Sequence, residues 1–148
     1  MAALTEPQRH VLRREMEAIV GTSAVLSDPE ELLVYESDGL TLFRALADFV
    51  AFPTSVEQVA ALVKLANRER IPFVARGAGT GLSGGCLPVE GGLVISLVKM
   101  NRVLEVDDDN HIAVVEPGVV NLHLSWAVDS RGYYYAPDPS SQQACTIG

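Results

Sequence analysis

The chain has 148 residues, 48% of them hydrophobic and 20% charged, with a formal net charge of −8. That composition suits one domain with a sizeable core and excludes extended disorder. The acidic balance argues against a nucleic-acid surface or an anionic membrane patch, since both need clustered lysine and arginine.

In chain order, "TEPQRHVLRREMEAIVG" reads as a first helix. Thr5 caps it, Pro7 sits in its first turn and Gly21 ends it. Val11, Leu12, Met16, Ile19 and Val20 make one apolar face. The start of the chain is too polar for a secretory leader. "SDPEELLVYESDG" opens a second helix, with Asp28 as N-cap, Pro29 in the first helical position and Glu31 closing a capping box. "ADFVAFP" is a short strand. "PTSVEQVAALVKLANRER" is a long amphipathic helix with a Thr54–Glu57 capping box. Its inward face is read as Val56, Val59, Ala60, Val63 and Ala66, and Pro72 stops it. "PFVAR" is the next strand.

Beyond "RGAGTGLSGG" the pattern changes. "GGLVISLVKM", "RVLEVD" and "HIAVVEPG" are strand-like runs, the last two joined by a polar hairpin turn at "DDDNH". "VVNLHLSWAVDSRG" reads as a short helix capped by Asn121, and "YYYAPDPSSQQACTIG" as loop. The expected fold is therefore α/β in its first half, an αβαβ run with parallel strands. A mostly antiparallel sheet built from strands near 93–98, 103–107 and 111–116 should follow. The longest apolar run, Leu93 to Val98, is far short of a membrane span.

The glycine-dense stretch has three readings. "GTGLSG", Gly79 to Gly84, matches G-x-G-x-x-G, with Glu105 and Asp107 as acidic residues further on. That fingerprint needs a helix opening at its third glycine to aim N–H groups at a diphosphate. Pro88 and the Gly91–Gly92 pair interrupt any such helix, which counts against a Rossmann unit. A Walker A loop fails because G-K-[ST] is absent. A plain surface connector is the second reading. The third is an anion nest: glycines at 77, 79 and 81 expose successive N–H groups, with Thr80 and Ser83 adding hydroxyls.

His10 and His111 read as solvated, His123 as structural and Trp126 as core. Cys86 and Cys145, far apart, form neither a disulfide framework nor a metal-ligand spacing; they read as buried thiols of a reducing, cytoplasmic compartment. No metal site is expected.

Three segments, "PFVARGAGTGLSGG", "GGLVISLVKMNRVLEVD" and "YAPDPSSQQACTIG", resemble the FAD-linked oxidases of the vanillyl-alcohol-oxidase/p-cresol-methylhydroxylase (PCMH) type. Within them the chain is most similar to the FAD-binding subunit of bacterial glycolate oxidase and to D-lactate and D-2-hydroxyglutarate dehydrogenases. The resemblance implies a PCMH-type FAD-binding domain over residues 1–148. A parallel α/β subdomain would span about 20–100, and a second would start over 101–148. It implies that Arg76, Gly77, Ala78, Gly79, Thr80, Gly81, Leu82, Ser83 and Gly84 wrap the FAD diphosphate, with Pro53, Pro117 and Gly118 nearby. Pro137, Asp138, Pro139, Ser140 and Ser141, and then Cys145, Thr146, Ile147 and Gly148, would run along the ribityl chain and flavin ring. Cys145 is read there as a contact, not a redox nucleophile, because no second cysteine or activating base is near in sequence. The FAD would be non-covalent, since no histidine lies in the loop or the last motif.

The implied reaction is oxidation of a small 2-hydroxy acid, with hydride passing from substrate C2 to flavin N5. Partner oxidase subunits would carry any peripheral membrane association. Two alternatives stand beside it: a peptidoglycan-precursor reductase on the same fold using FAD and NADPH, and a non-catalytic fragment or flavin-binding module. The family continues past "ACTIG" into a substrate cap. Catalytic groups are therefore expected outside this chain, and residues 1–148 alone are expected to be inactive.

Overall fold

The computed structural model describes residues 4–88 and 91–148. Helix α1 spans Glu6–Val20, strand β1 Val25–Leu26 and the short helix α2 Pro29–Leu32. Strand β2 spans Phe49–Ala51, helix α3 Val56–Arg68, strand β3 Phe73–Arg76 and strand β4 Leu93–Ser96. Strands β5 (Val103–Asp107) and β6 (Ile112–Val115) form a hairpin, followed by helix α4 over Asn121–Asp129.

The first sheet has the order β1-β2-β4-β3. β2 and β3 both pair in parallel with β4, and β1 adds an antiparallel edge. Side-chain alternation splits these strands between two cores. Phe49, Ala51, Leu93 and Ile95 face α1 and α3, where Leu12, Met16, Leu62, Leu65 and Ala66 meet them. Val50 and Val94 face the opposite side, covered by Leu32 of α2 and flanked by Tyr35, Phe52 and Val74. A third core joins Val119, Leu124 and Val128 to the inner face of the β5–β6 hairpin. No helix among the described residues is long and apolar enough to cross a membrane.

Several sequence expectations are corrected. The strand at 93–96 does not join an antiparallel sheet with the hairpin; it is the centre of the parallel sheet, buried along its whole length. A fully apolar strand is what a parallel sheet covered on both faces demands. No helix lies in the described part of the β3–β4 connection, which removes the Rossmann reading. α3 is capped by Ser55, whose hydroxyl accepts from Gln58 N–H, while the Gln58 amide oxygen accepts from Thr54. The cap is thus one residue later than Thr54–Glu57 suggested, and Val56 and Ala60 turn to solvent. Val11 of α1 is likewise exposed. Asp28 caps α2 by accepting from Glu30 N–H, with no bond from Glu31 among the described residues.

In α4 the buried positions are Asn121, Leu124 and Val128. Trp126 falls between them, 63% exposed, and stacks on His123 at 5.1 Å. Asn121 is no cap; it is the first helical residue, and its buried amide donates to the Pro137 carbonyl at 3.1 Å. Both cysteines are free and half-buried rather than buried.

Candidate cofactor site

Parallel strands β2, β3 and β4 end together, so their C-terminal ends form one rim, the side on which open α/β sheets take ligands. Arg76 and Ser96 are paired at that rim and both are buried. Pro53, fully buried, follows β2 there. The glycine loop leaves the rim from Arg76.

Arg76 turns its guanidinium into the protein, over the Tyr35 ring at 5.5 Å, with Nη1 directed at the Tyr35 carbonyl and 3.4 Å from Cys86 Sγ. Burial raises the Tyr35 phenol above its ordinary pKa, and the Arg76 charge opposes that rise. Gly79 has φ +74°, the left-handed region that favours glycine. Gly77 lies flat against the tail: a Cβ there would overlap Thr146 Oγ1 and sit 2.5 Å from the Gly148 carbonyl. Thr146 Oγ1 accepts from Ala78 N–H at 3.2 Å and donates to the Gly148 carbonyl at 3.0 Å.

The tail is stitched in turn to the "EPG" turn. Gly148 N–H donates to the Pro117 carbonyl, Ile147 N–H to Val119 and Asn121 N–H to Cys145. Three segments distant in sequence, 76–84, 117–118 and 145–148, therefore meet. Pro137, Asp138, Pro139 and Ser140 are exposed, with Ser141 half-buried. Ser141 and Pro139 carbonyls close the turn that leads into Cys145. No hydrogen bond ties 137–141 to the glycine loop among the described residues.

The N–H groups of Gly79, Thr80, Gly81, Leu82 and Ser83 have no hydrogen-bond partner among the described residues. A run of free amides on a backbone without Cβ obstruction is the donor set a diphosphate needs, with no lysine required. The residues present thus fit a dinucleotide cofactor. Among the described residues, no group of three or more His, Cys, Asp or Glu could hold a metal ion.

Sequence reasoning missed Asp38 and Gly39. Asp38 is buried, and its carboxylate accepts from Gly84 N–H and Leu40 N–H, both at 2.8 Å. Gly39 N–H donates to the Gly81 carbonyl at 2.9 Å. "SDG" looks like an ordinary turn, and only its partners more than forty residues away give it a role.

A cavity of about 650 Å³ lies elsewhere, where β2 and β4 begin. Arg9, His10 and Arg13 line it. Two of these charges are already neutralised: Arg9 by Asp48 and Arg13 by Glu17. The rim with free amides is the better anion site, because donors without partners are what an incoming anion can use.

Below the rim, Glu116 anchors the "EPG" turn. Its carboxylate accepts from Arg102 N–H at 2.8 Å and from the Arg102 guanidinium at 2.7 Å. The Arg102 side-chain and backbone donors hold its pKa below the ordinary 4.5. A depressed carboxylate stabilises the fold above its unfolded pKa, and that contribution is lost as pH falls through the folded value. Glu116→Gln should therefore flatten the decline of melting temperature between about pH 5 and pH 3. An identical decline in wild type and variant would show that this pair does not set acid stability.

Residues 47–148 match the FAD binding domain family. The chain is 46% identical over 124 residues to glycolate oxidase subunit GlcD of Escherichia coli K12, covering 84% of this chain and 25% of that one. It is 34% identical over 145 residues to D-2-hydroxyglutarate dehydrogenase of Stutzerimonas stutzeri A1501, covering 98% of this chain and 31% of that one. Among solved structures, p-cresol methylhydroxylase superposes with a TM-score of 0.77 at 24% identity, over 88% of this chain and 26% of that one. The chain thus spans between a quarter and a third of the length of these relatives. Free amides at the sheet rim, a fold shared with p-cresol methylhydroxylase and a family match over well over half of the sequence agree: the chain belongs to the FAD binding domain family, with FAD as its cofactor.

Proposed function

We propose that this chain supplies the diphosphate cradle and part of the flavin wall of an oxidoreductase acting on small 2-hydroxy acids of the glycolate or D-lactate type. The observation that carries the reading is that 145–148 joins 117–118 to the start of the glycine loop at Gly77 and Ala78, and that the five amides of Gly79–Ser83 just beyond have no hydrogen-bond partner among the described residues. Loop residues 76–84 hold the diphosphate, and Cys145–Gly148 continue toward the flavin. Pro137–Ser141 lie along the ribityl chain. Residues about 20–100 form the first subdomain and 101–148 begin the second. When bound, FAD would supply the hydride-accepting chemistry, with the loop and the tail holding it in place. The similarity to a glycolate oxidase subunit and a D-2-hydroxyglutarate dehydrogenase supports the substrate class. The chain covers only a quarter to a third of these relatives, so the groups that bind and deprotonate the acid would lie in the part it does not cover.

The test is the complete flavoprotein, purified and mixed without oxygen with glycolate, D-lactate or D-2-hydroxyglutarate. Bleaching of the flavin absorbance by one of them is expected. A flavin that ignores all three and is bleached by NADPH would replace this reading with the peptidoglycan-precursor reductase. Ser83→Ala should weaken FAD binding only about threefold to tenfold, because one hydrogen bond is worth about 0.5–1.5 kcal/mol net. Isothermal titration of the deflavinated protein measures it.

A further inference from the structure

The segment Tyr35–Leu40 precedes the family-matched residues 47–148, yet it holds the cofactor loop. We infer that Asp38 and Gly39 are positioning residues that set the peptide orientation of the glycine loop. The inference rests on the diphosphate role proposed for that loop.

The geometry follows from the planarity of the peptide unit. No cis peptide occurs among the described residues, so each N–H points opposite to the carbonyl of the preceding residue. The Gly81 carbonyl accepts from Gly39 N–H at 2.9 Å, so Leu82 N–H faces away from residue 39. The Thr80 carbonyl also faces Gly39; a Cβ at that position would sit 2.8 Å from it. Gly81 N–H therefore points away from residue 39 as well. Two successive amides are thereby turned to one side, and neither has a partner among the described residues.

Asp38 fixes the far end of the same loop. Its Oδ2 accepts from Gly84 N–H, and its Oδ1 accepts from Leu40 N–H, which orients the carboxylate. At 7% exposure, this carboxylate has little water to replace either donor. Arg76 closes the near end against Tyr35. The loop is thus held at both ends and in the middle by one six-residue segment. Preorganised donors bind an anion better than donors that must first be ordered.

Two kinds of substitution test this in the complete flavoprotein. Gly39→Ala puts a methyl group against two backbone carbonyls, of Thr80 and Gly81, at 2.8 and 3.0 Å, so the loop must shift. Asp38→Ala removes both acceptors, and Asp38→Asn restores one. Deflavinated variants should show unchanged far-ultraviolet circular dichroism. FAD affinity should fall about tenfold or more in Gly39→Ala and Asp38→Ala, with partial recovery in Asp38→Asn. The phosphorus-31 resonances of bound FAD should move in Asp38→Asn while the flavin absorbance maxima stay. A loss of folding alone would not move phosphorus resonances selectively. Unchanged affinity and unchanged phosphorus shifts in flavin-containing variants would overturn the inference. Wild-type protein without flavin would instead defeat the diphosphate reading on which it rests.

Discussion

Gly79→Val in the complete protein is expected to yield a folded but colourless enzyme. At φ +74° a β-branched side chain is strained by about 1–3 kcal/mol, and its Cβ would overlap the Arg76 guanidinium. Relief requires the peptide to rotate or Arg76 to leave the Tyr35 ring, and either move redirects the free amides. FAD affinity should fall about a hundredfold or more, enough to lose the flavin during purification. The three cores contain no residue of 77–85, so the fold should survive. Visible absorbance reads flavin content, and thermal unfolding of the deflavinated proteins should agree within about 5 °C. A variant with stoichiometric flavin would remove the loop from the cofactor site.

Gly118→Ala should damage folding instead. A methyl group there would overlap the Leu97 carbonyl and lie 2.7 and 2.9 Å from those of Met100 and Val98. All three neighbours are backbone, and Gly118 N–H is itself bonded to the Met100 carbonyl. The "EPG" turn cannot move without breaking that bond and the Glu116–Arg102 pair. A loss of about 3 kcal/mol or more is expected, seen as a lower denaturation midpoint in urea. A midpoint equal to wild type would mean that the turn packs more loosely than its carbonyl neighbours imply.

Local signals were legible where they were self-contained. Thr5, Pro7 and Gly21 delimit α1 within one stretch of chain, and the structure has Thr5 and Gly21 at its two caps with the proline in its first turn. That no helix opens at the third glycine of the loop could be argued from Pro88 and the Gly91–Gly92 pair, and none lies in the described part of the β3–β4 connection. Long-range choices were not legible. The run "LVIS" looks the same as a hairpin strand or a buried parallel strand. Its place between β2 and β3 became clear only from the sheet, because the described part of the β3–β4 crossover is a glycine-rich loop rather than the usual helix. At α3, Thr54 and Ser55 are both competent caps, and Gln58 decides between them by reaching back to Thr54. Trp126 misled because its spacing from Leu122 is helical, while the hairpin packs against the Leu124–Val128 stripe. Asp38 gave no local sign at all; its two partners include one that is 46 residues away.

A crystal structure of the flavin-loaded complete protein is the decisive measurement. Diphosphate oxygens are expected about 2.7–3.2 Å from N–H groups within Gly79–Ser83. The Asp38–Gly84 and Gly39–Gly81 hydrogen bonds are expected intact behind them. A diphosphate seated in the cavity lined by Arg9, His10 and Arg13, at the opposite rim of the sheet, would contradict that placement.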